Sequence, residues 1–428
     1  MSSQFNGLLQ TTQFSVRELF LITEFGTFDI SMIFDELNLF DNMLTPCMSG
    51  NILVTDATNI KDKLKLNGNE FIKITIDKGE NNPTFFKFEK LFRIYKITNE
   101  RNVNFTSQSF ILHFITNDYL ISEQQKISQF YSGKYSDIVK KILVNNLKVP
   151  TTNSKKGSSG ISQIIDSTGI VDIIIPNLTP FDAIEWICRR ALYHELPNYM
   201  FYETQLGYNF IPLDKIMSET ATASLNFNPK NIDKNVSNEL LGIREFKILS
   251  TFQEAENISA GAYSGTFFGF DTLTRSKTIR KINYVNDVFN KMSHLNQSPL
   301  IPDNSLVTKF DSREVYYPYE SSRMTNSYVK TNDSVASNKI NQTENYKFQR
   351  KSILYNLMQR RIQVNLPGNF GFMTGQVVNV FYPKYSNDTT GQFHDKSMSG
   401  RYLITGVRHM IRYDQHETIM EIATDSTK

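Results

Sequence analysis

Six histidines are the side chains of this sequence best suited to metal binding. They stand at His113, His194, His294, His394, His409 and His416. None falls into the ligand spacing of a zinc protease or a zinc finger. The best case is His409 with Asp414 and His416, which lie on facing arms of a predicted hairpin and could approach each other across it. Because this spacing is not that of a ligand set, we interpret them as solvent-facing residues and expect no metal and no cofactor.

Two glutamates are candidates for glycan hydrolysis, which needs a pair of carboxyl groups flanking a cleft, one of them in an apolar setting. Glu185 stands beside Trp186, and Glu195 follows His194. Helices normally carry such charges on their wet face, so we favour surface charges around a buried Trp186. The sequence also lacks a glycine-rich phosphate loop and a Gly-x-Ser-x-Gly elbow. We therefore expect that the protein is not an enzyme.

The composition is that of an ordinary soluble protein with a sizeable core. The chain has 428 residues, 40% of them hydrophobic, and a net charge of +3 from 46 basic and 43 acidic residues. This balance contains no basic stripe of the kind that binds nucleic acid without sequence preference. Cys47 and Cys188 sit among apolar neighbours, which predicts buried thiols rather than a disulfide. We expect no signal peptide and no membrane anchor.

The elements that would position these residues are mainly strands in the first part of the chain. Residues 71–77 alternate apolar and polar side chains, as in a half-buried strand. Residues 51–56 and 85–88 are further strand candidates, and residues 15–120 form one predicted β-domain. Residues 35–41 hold more polar groups than a core strand, so we expect an edge or a loop there.

The pattern changes to helix and hairpin in the middle of the chain. Ser136 can cap a helix whose apolar stripe contains Ile138, Ile142 and Leu143. Thr179 followed by Pro180 is a strong helix start. Residues 199–203 and 208–211 read as the two arms of a hairpin, whereas residues 151–160 are too polar to be more than a loop.

The last part of the chain is less regular until it returns to strands. Residues 327–344 are polar, a strand is predicted at 243–251, and a helix is predicted at 349–361. Ile353, Leu357 and Arg360 stand at helical spacing in that segment. Strands are predicted at 362–366 and 376–381, followed by a loop and a closing hairpin.

Two segments near opposite ends of the chain have matching patterns. Aligned without gaps, residues 92–97 parallel residues 402–407, and residues 111–117 parallel residues 419–425. Residues 92–118 read as one β-hairpin and residues 402–426 as another. The match indicates two similar domains in one chain, or else two amphipathic hairpins that are alike by coincidence.

Four blocks of sequence resemble the baseplate central hub proteins of contractile-tail bacteriophages. The central signature is similar to FDAIEWICRRA at 181–191 and MFYETQLGYNF at 200–210. LNGNEFIKI at 66–74 looks like the first-barrel turn of the family, and SGRYLITGVRH at 399–409 resembles its last-barrel strand. The family is related to the N-terminal part of the type VI secretion valine-glycine-repeat spike proteins. The residues that carry the central signature are Phe181, Trp186, Phe201, Tyr202, Glu203, Gly207 and Phe210.

The resemblance implies an α+β, mainly β fold with two tube-like β-barrels around an α+β insertion. It implies these domains: 1–120, first barrel; 121–213, insertion; 214–361, linker, start of the second barrel and a poorly assigned polar region; 362–428, C-terminal part of the second barrel. It also implies a homotrimeric ring of pseudo-six-fold symmetry that joins a hexameric tail tube to a trimeric spike. Implied partners are the spike or needle, the tube or its initiator, tape-measure and wedge proteins, and genomic DNA passing through without sequence recognition. The expected location is the virion baseplate, assembled in the host cytoplasm.

In such a ring, function would depend on interfaces, so the functional residues would be strand residues. For barrel packing we select Ile72, Ile74 and Ile76 with Val377, Val378 and Val380, and for a neighbour or the lumen Lys73, Thr75 and Asn379. All of them could equally serve only their own sheet. The alternative function is a glycan-binding or cell-wall-degrading tail component that uses exposed Tyr316, Tyr317 and Tyr319.

Overall fold

The computed structural model describes residues 14–77, 87–104, 107–151, 159–227, 240–272, 275–301, 307–319, 343–383, 395 and 397–428. Strands make up 48% and helices 19%, which confirms the predicted mainly β class. His394, most of the loop predicted at 151–160 and most of the polar stretch at 327–344 lie outside the described residues. Within the described residues, no helix is both long and apolar enough to cross a membrane.

The described elements follow one another along the chain. The strands are β1 Ser15–Thr23, β2 Gly26–Asp29, β3 Phe34–Asn42, β4 Ser49–Asp56, β5 Phe71–Asp77, β6 Lys87–Asn102, β7 Gln108–Ile115, β8 Phe130–Gly133, β9 Ile161–Ile164, β10 Val171–Ile174, β11 Tyr199–Thr204, β12 Gly207–Pro212, β13 Ala223–Phe227, β14 Gly242–Ile243, β15 Glu245–Ser250, β16 Ser264–Asp271, β17 Lys277–Asn283, β18 Ser298–Pro299, β19 Glu314–Tyr319, β20 Arg360–Pro367, β21 Val377–Phe381, β22 Gly400–Arg412, β23 His416–Thr424 and β24 Ser426–Thr427. The α-helices are α1 Ile60–Leu64, α2 Asn117–Glu123, α3 Tyr135–Lys141, α4 Pro180–Cys188, α5 Leu213–Ser218, α6 Glu254–Ser259, α7 Tyr284–Asp287 and α8 Thr343–Leu357. A π-helical turn spans Ile142–Asn146, and a 3₁₀ turn spans Phe289–Lys291.

Fourteen of the described strands form one sheet that contains two modules of the same strand order. Module one reads β3-β4-β7-β6-β5-β1-β2, and module two reads β15-β20-β23-β22-β21-β13-β14. The strands also occur in the same sequence order in both modules. The modules differ at one end, because β1 runs antiparallel to β5 whereas β13 runs parallel to β21.

The two predicted hairpins match each other residue by residue. Ile94 pairs with Phe114 in module one, and Ile404 pairs with Ile422 at the aligned position of module two. Directly afterwards both ladders shift register, at Tyr95 and at Thr405, which are also aligned. A shared bulge at one aligned position fixes the same local bend in both modules. The sequence parallel is therefore a structural duplication.

The modules share one sheet and do not form the two closed barrels that we expected. Among the described strands no barrel closes. The physical reason lies in β3, which pairs with β4 on one side and with β22 of the other module on its second side. This pairing also corrects the prediction of an edge or loop at residues 35–41. The polar Asn38 and Asp41 of β3 are buried because Asn51 of β4 and the backbone of Thr374, between β20 and β21, hydrogen-bond to them.

The inserted domain lies between the modules in sequence and has its own core. Helices α2–α4, the π-helical turn and strands β8–β12 enclose this core. Thr179 caps α4 as predicted, with its hydroxyl accepting from the backbone N–H of Asp182 at 3.3 Å. Ser136 does not cap α3, which begins at Tyr135 after Lys134. The predicted apolar stripe of Ile138, Ile142 and Leu143 is nevertheless fully buried.

A smaller sheet, β17-β16-β19, lies between β15 and α8 in sequence. Helix α8 packs against it through Phe348, and Ile353 and Leu357 of the same helix are buried. Arg360 does not extend the helix, because it is the first residue of β20. Cys47 and Cys188 are buried free thiols, as predicted.

Candidate functional site

The residues of the inserted hairpin β11–β12 meet both modules at a buried junction. Its centre is an ion pair in which Lys90 Nζ of β6 lies 2.6 Å from Glu203 Oε1 of β11. The two side chains are 3% and 0% exposed. Such a pair is stable only if hydrogen bonds satisfy the remaining polar atoms.

Three further donors complete the environment of the Glu203 carboxylate. The backbone N–H of Met48 donates to Oε2 at 2.8 Å, and the Thr116 hydroxyl donates to the same oxygen at 2.7 Å. The Ser159 hydroxyl donates to Oε1. Lys90, Met48 and Thr116 belong to module one, so this carboxylate fastens the inserted domain to that module.

The same hairpin also touches module two. The Gln205 side-chain amide donates to the backbone carbonyl of Phe370 at 3.0 Å. Gly375, with φ of 88°, lies against Tyr202, where an added Cβ would be 2.0 Å from the phenol oxygen. Asp41 of module one accepts from the backbone N–H of Thr374 at 3.2 Å. The junction therefore joins three units of the chain.

Burial shifts the pKa values of two carboxyl groups around the junction. It raises the pKa of Asp41 to about 7, against the hydrogen bonds from Thr374 and the attraction of Lys90. Burial also raises the pKa of Asp118 to about 6, and the nearby Glu203 charge adds to the rise. The Tyr208 hydroxyl, which donates to Asp118 at 3.0 Å, opposes that rise.

The other signature residues form the aromatic core behind the junction. Phe201 and Tyr208 stack with ring centroids 5.7 Å apart, and Phe181 lies 5.9 Å from each of them. Phe210 stacks on Tyr199 at 4.4 Å. Gly207, with φ of 120°, makes the turn between the hairpin strands.

Trp186 and Glu185 lie outside this core. Trp186 is half-buried rather than buried, and the Arg190 guanidinium covers its ring at 3.7 Å. Glu185 is 61% exposed and pairs with Arg189. It lines an open cleft of about 660 Å³ together with Glu123 and Asp182, which are exposed too. The apolar setting of a general acid is thus missing at these three carboxyl groups.

Glu195 and the histidine pair have different surroundings. Glu195 is 70% exposed, and its carboxylate lies 3.3 Å from Lys291 Nζ. His409 and His416 come together across the β22–β23 ladder at 3.3 Å, and both are buried, so the solvent-facing prediction is wrong. They are buried because Phe370 packs against both rings. Asp414 lies in the turn away from them, and within the described residues no group of three ligating side chains could hold a metal.

The structure places most of the selected interface residues inside their own module. The isoleucines and valines are at most 1% exposed. The core of module one contains Ile72, Ile74 and Ile76, and that of module two contains Val378 and Val380. Val377 packs instead in a separate core with the inserted hairpin and helix α8. Lys73 and Thr75 both contact Glu18 of the neighbouring β1, at 2.6 Å and 2.7 Å. Asn379 reaches Ser224 of β13 at 3.5 Å.

Two of the strand edges that carry no partner within the described residues lie one in each module. Strand β15 pairs only with β20, which leaves its outer edge open. Beyond Ile94, the distal half of β6 (residues 96–102) pairs only with β7, because β5 covers β6 only as far as Arg93. Exposed edges of this kind are sites for strand addition.

Sequence reasoning missed the junction's central lysine, although a signal was present. Buried and less buried positions alternate strictly over residues 87–94 of β6, and Lys90 stands in phase with the buried Phe88, Phe92 and Ile94. A charge at an apolar position of an alternating strand indicates a buried ion pair. No sequence pattern identified Glu203 as the partner of Lys90, because the two residues are 113 positions apart.

No protein-family model matches this sequence, and no curated protein sequence matches it either. Solved structures do. A tail protein from Neisseria meningitidis MC58 superposes with a TM-score of 0.51 at 13% identity, covering 95% of this chain and 96% of that one. The 43 kDa tail protein of prophage MuSo2 from Shewanella oneidensis gives 0.52 at 8% identity, covering 96% and 99%.

Both neighbours are matched along nearly their whole length, with the two modules and the insertion included in the covered range. At such low identity the likeness concerns the fold. The resemblance drawn from four short sequence blocks is therefore confirmed at that level: this chain has the fold of phage tail proteins.

Proposed function

We propose that the chain is a structural hub of a contractile phage tail baseplate, a trimeric adaptor between the hexameric tail tube and the trimeric spike. The observation that carries this proposal is the duplication of one β-module within the chain, down to an aligned bulge in each hairpin. Three copies with two similar modules each present six similar units to a tube, while the ring keeps three-fold symmetry towards a spike. The likeness in fold to two phage tail proteins supports the same role.

In this role the residues act by holding surfaces in place. The junction holds the inserted hairpin against module one through Glu203 and against module two through Gln205. The proposed partners are the spike or needle, the tube or its initiator, and tape-measure and wedge proteins, in a virion baseplate assembled in the host cytoplasm. Genomic DNA would pass through the ring without sequence recognition, since the net charge of +3 offers no basic stripe.

The experiment that tests this role is the mass of the native chain in solution by light scattering, with image averages of the same particles. A three-chain ring with a central hole and six lobes supports the adaptor. A compact monomer that adds to neither a tail-tube nor a spike preparation contradicts it.

A second candidate is binding of a cell-wall glycan, and one observation favours it. On the small sheet an apolar row crosses three strands: Tyr316 stacks on Phe268 at 4.7 Å, and Ile279 pairs with Phe268 from the other side. Tyr316 and Ile279 are 69% and 56% exposed. Aromatic faces of this kind can stack on sugars. Tyr317 is half-buried, and the side chain of Tyr319 lies outside the described residues.

A pull-down with purified cell walls tests this second candidate. Glycan binding predicts retention that Tyr316→Ala abolishes, while Tyr413→Ala, at an 89% exposed tyrosine in the β22–β23 turn, leaves it unchanged. Equal behaviour of the two variants rejects it.

A further inference from the structure

The two modules of the chain are joined by a strand pair. The distal half of β22 (residues 406–412) runs antiparallel to β3, in a register that sets Val407 opposite Asp41 and Arg408 opposite Phe40. Side chains reinforce the joint: Arg408 Nε donates to Asn38 Oδ1 at 2.9 Å. The β3–β22 joint thus connects a distal strand half of one module to an edge strand of the other.

The duplication supplies a counterpart for each side of this joint. The distal half of β6 corresponds to that of β22, since Lys96 pairs with His113 where Gly406 pairs with Glu421. Strand β15 corresponds to β3 by the same comparison of ladders. Each of these two counterparts lacks a strand partner on one side among the described residues. The chain therefore has one joint completed and both halves of a second joint open.

The open edge of β15 is apolar for a surface strand. Ile248 and Leu249 are 47% and 38% exposed, and Phe252, two residues beyond the end of the strand, is 61% exposed. On the other edge, Tyr95 at the shared bulge is 47% exposed. An open edge with apolar side chains promotes uncontrolled strand pairing unless a specific partner covers it.

We propose that β15 of one copy of this chain pairs antiparallel with the distal half of β6 of the next copy, in the register of the β3–β22 joint. Transferring that register through the aligned ladders sets Thr251 opposite Ile97 and Ser250 opposite Thr98. The contact is heterologous, because each copy contributes a different edge, so copies add head to tail and close into a ring. Closure at three copies rests on the proposed function, whereas the strand pairing rests on the duplicated ladders.

Engineered disulfides test the pairing in the full chain. Adjacent antiparallel pairs alternate between wide and narrow spacing, so one of two neighbouring pairs has the geometry for a disulfide. We would make Ile97→Cys with Thr251→Cys in one variant and Thr98→Cys with Ser250→Cys in another. The matched control, Thr98→Cys with Glu245→Cys, uses the same strands out of register. Cys47 and Cys188 are buried and stay in place.

The expected result is covalent dimers and trimers, on a non-reducing gel, for at least one in-register variant and none for the control. Mixing a copy that carries only Ile97→Cys with one that carries only Thr251→Cys, and likewise Thr98→Cys with Ser250→Cys, should give dimers and nothing larger for that register, because the contact is heterologous. Trimers in solution without an in-register crosslink would overturn the proposed joint and leave the hub function standing. A monomer that shows no crosslink and adds to neither a tail-tube nor a spike preparation would overturn both.

A surface substitution gives an independent readout. Leu249→Lys places a charge on the open edge of β15, outside the module core. It should abolish association in light scattering while the unfolding temperature of the monomer stays within the range of the wild type. Association that survives Leu249→Lys contradicts the joint.

Discussion

Lys90 and Glu203 form a buried ion pair, with 2.6 Å between ammonium nitrogen and carboxylate oxygen, that joins strand β6 to the inserted hairpin. Both charges have lost nearly all contact with water. Each therefore depends on the other, and removal of one leaves the second buried and uncompensated. The pair thus makes the position of the inserted domain specific, whether or not it adds net stability.

Replacing Lys90→Met should lower the free energy of unfolding by about 3–5 kcal/mol, the usual cost of breaking a buried pair. Adding Glu203→Gln to that variant should recover part of the loss, because the neutral amide no longer needs a cation. Urea unfolding measures both. The control is Lys291→Met, which breaks the exposed pair with Glu195 and should cost only about 0–1 kcal/mol. Equal losses for the two lysine variants would contradict a buried pair.

The contact between Gly375 and Tyr202 gives a second prediction. Gly375→Ala should destabilise the protein both through its φ of 88° and because the new Cβ would meet the phenol oxygen at 2.0 Å. Gly68→Ala is the control, since Gly68 has φ of 91° and open space around it. Its cost should be about 1 kcal/mol from the backbone alone.

The excess cost of Gly375→Ala over Gly68→Ala therefore measures the contact with Tyr202. In a Tyr202→Phe background, where the phenol oxygen is gone, that excess should shrink as measured by thermal unfolding. It should not vanish, because the ring carbon that carried the oxygen would still be 2.8 Å from the new Cβ. An excess unchanged by Tyr202→Phe would show that the contact is not the cause.

Asp41 predicts a pH dependence of stability. Its pKa is raised to about 7 by burial, so between pH 4 and that value the folded chain binds a proton that the unfolded chain has released. Its contribution to stability therefore falls as pH rises through this window and stays low above it. Charged groups that influence it are Lys90 and Glu203.

Asp41→Asn removes this titration. The free energy of unfolding of the variant minus that of the wild type should be about 1–3 kcal/mol larger at pH 8 than at pH 5. Thermal unfolding of both proteins across that range measures the difference, in which other titrations cancel to first order. If stability plotted against pH gives parallel curves for variant and wild type, Asp41 is already ionised in the folded chain at pH 5.

Much of the fold could be predicted from local patterns, since those depend on neighbouring residues. The aligned hairpins and the Thr179 cap are examples, and the structure confirms both. Residues 35–41 were misassigned because their polar side chains have partners far along the chain: Asn38 binds Arg408, 370 residues away. His416 was misplaced for a related reason. Phe370, which buries it, lies in the connection between β20 and β21, far from His416 in sequence. One sequence shows periodicity but no pairing, so long-range polar contacts stay hidden.

The duplication also exposes a difference in core design between the modules. Gly50 pairs with Phe114 in module one, and at the corresponding place in module two Ile362 pairs with Ile422. Module one thus has a small residue opposite a large one where module two has two residues of equal size. An added Cβ at Gly50 would lie 2.4 Å from the Phe114 ring and from the backbone oxygen of Asn38.

Gly50→Ala should therefore cost about 1–3 kcal/mol through overpacking, although its backbone conformation suits alanine. Adding Phe114→Leu should relieve the ring contact but not the contact with Asn38, because a backbone oxygen in the middle of a sheet cannot move aside. The double variant should therefore stay less stable than Phe114→Leu alone, as urea unfolding can show. Ile362→Val is the control and should cost about 0.5–1.5 kcal/mol, the usual loss for one methyl group. If Gly50→Ala is neutral, the sheet at β3 and β4 is more plastic than its pairing on both sides implies.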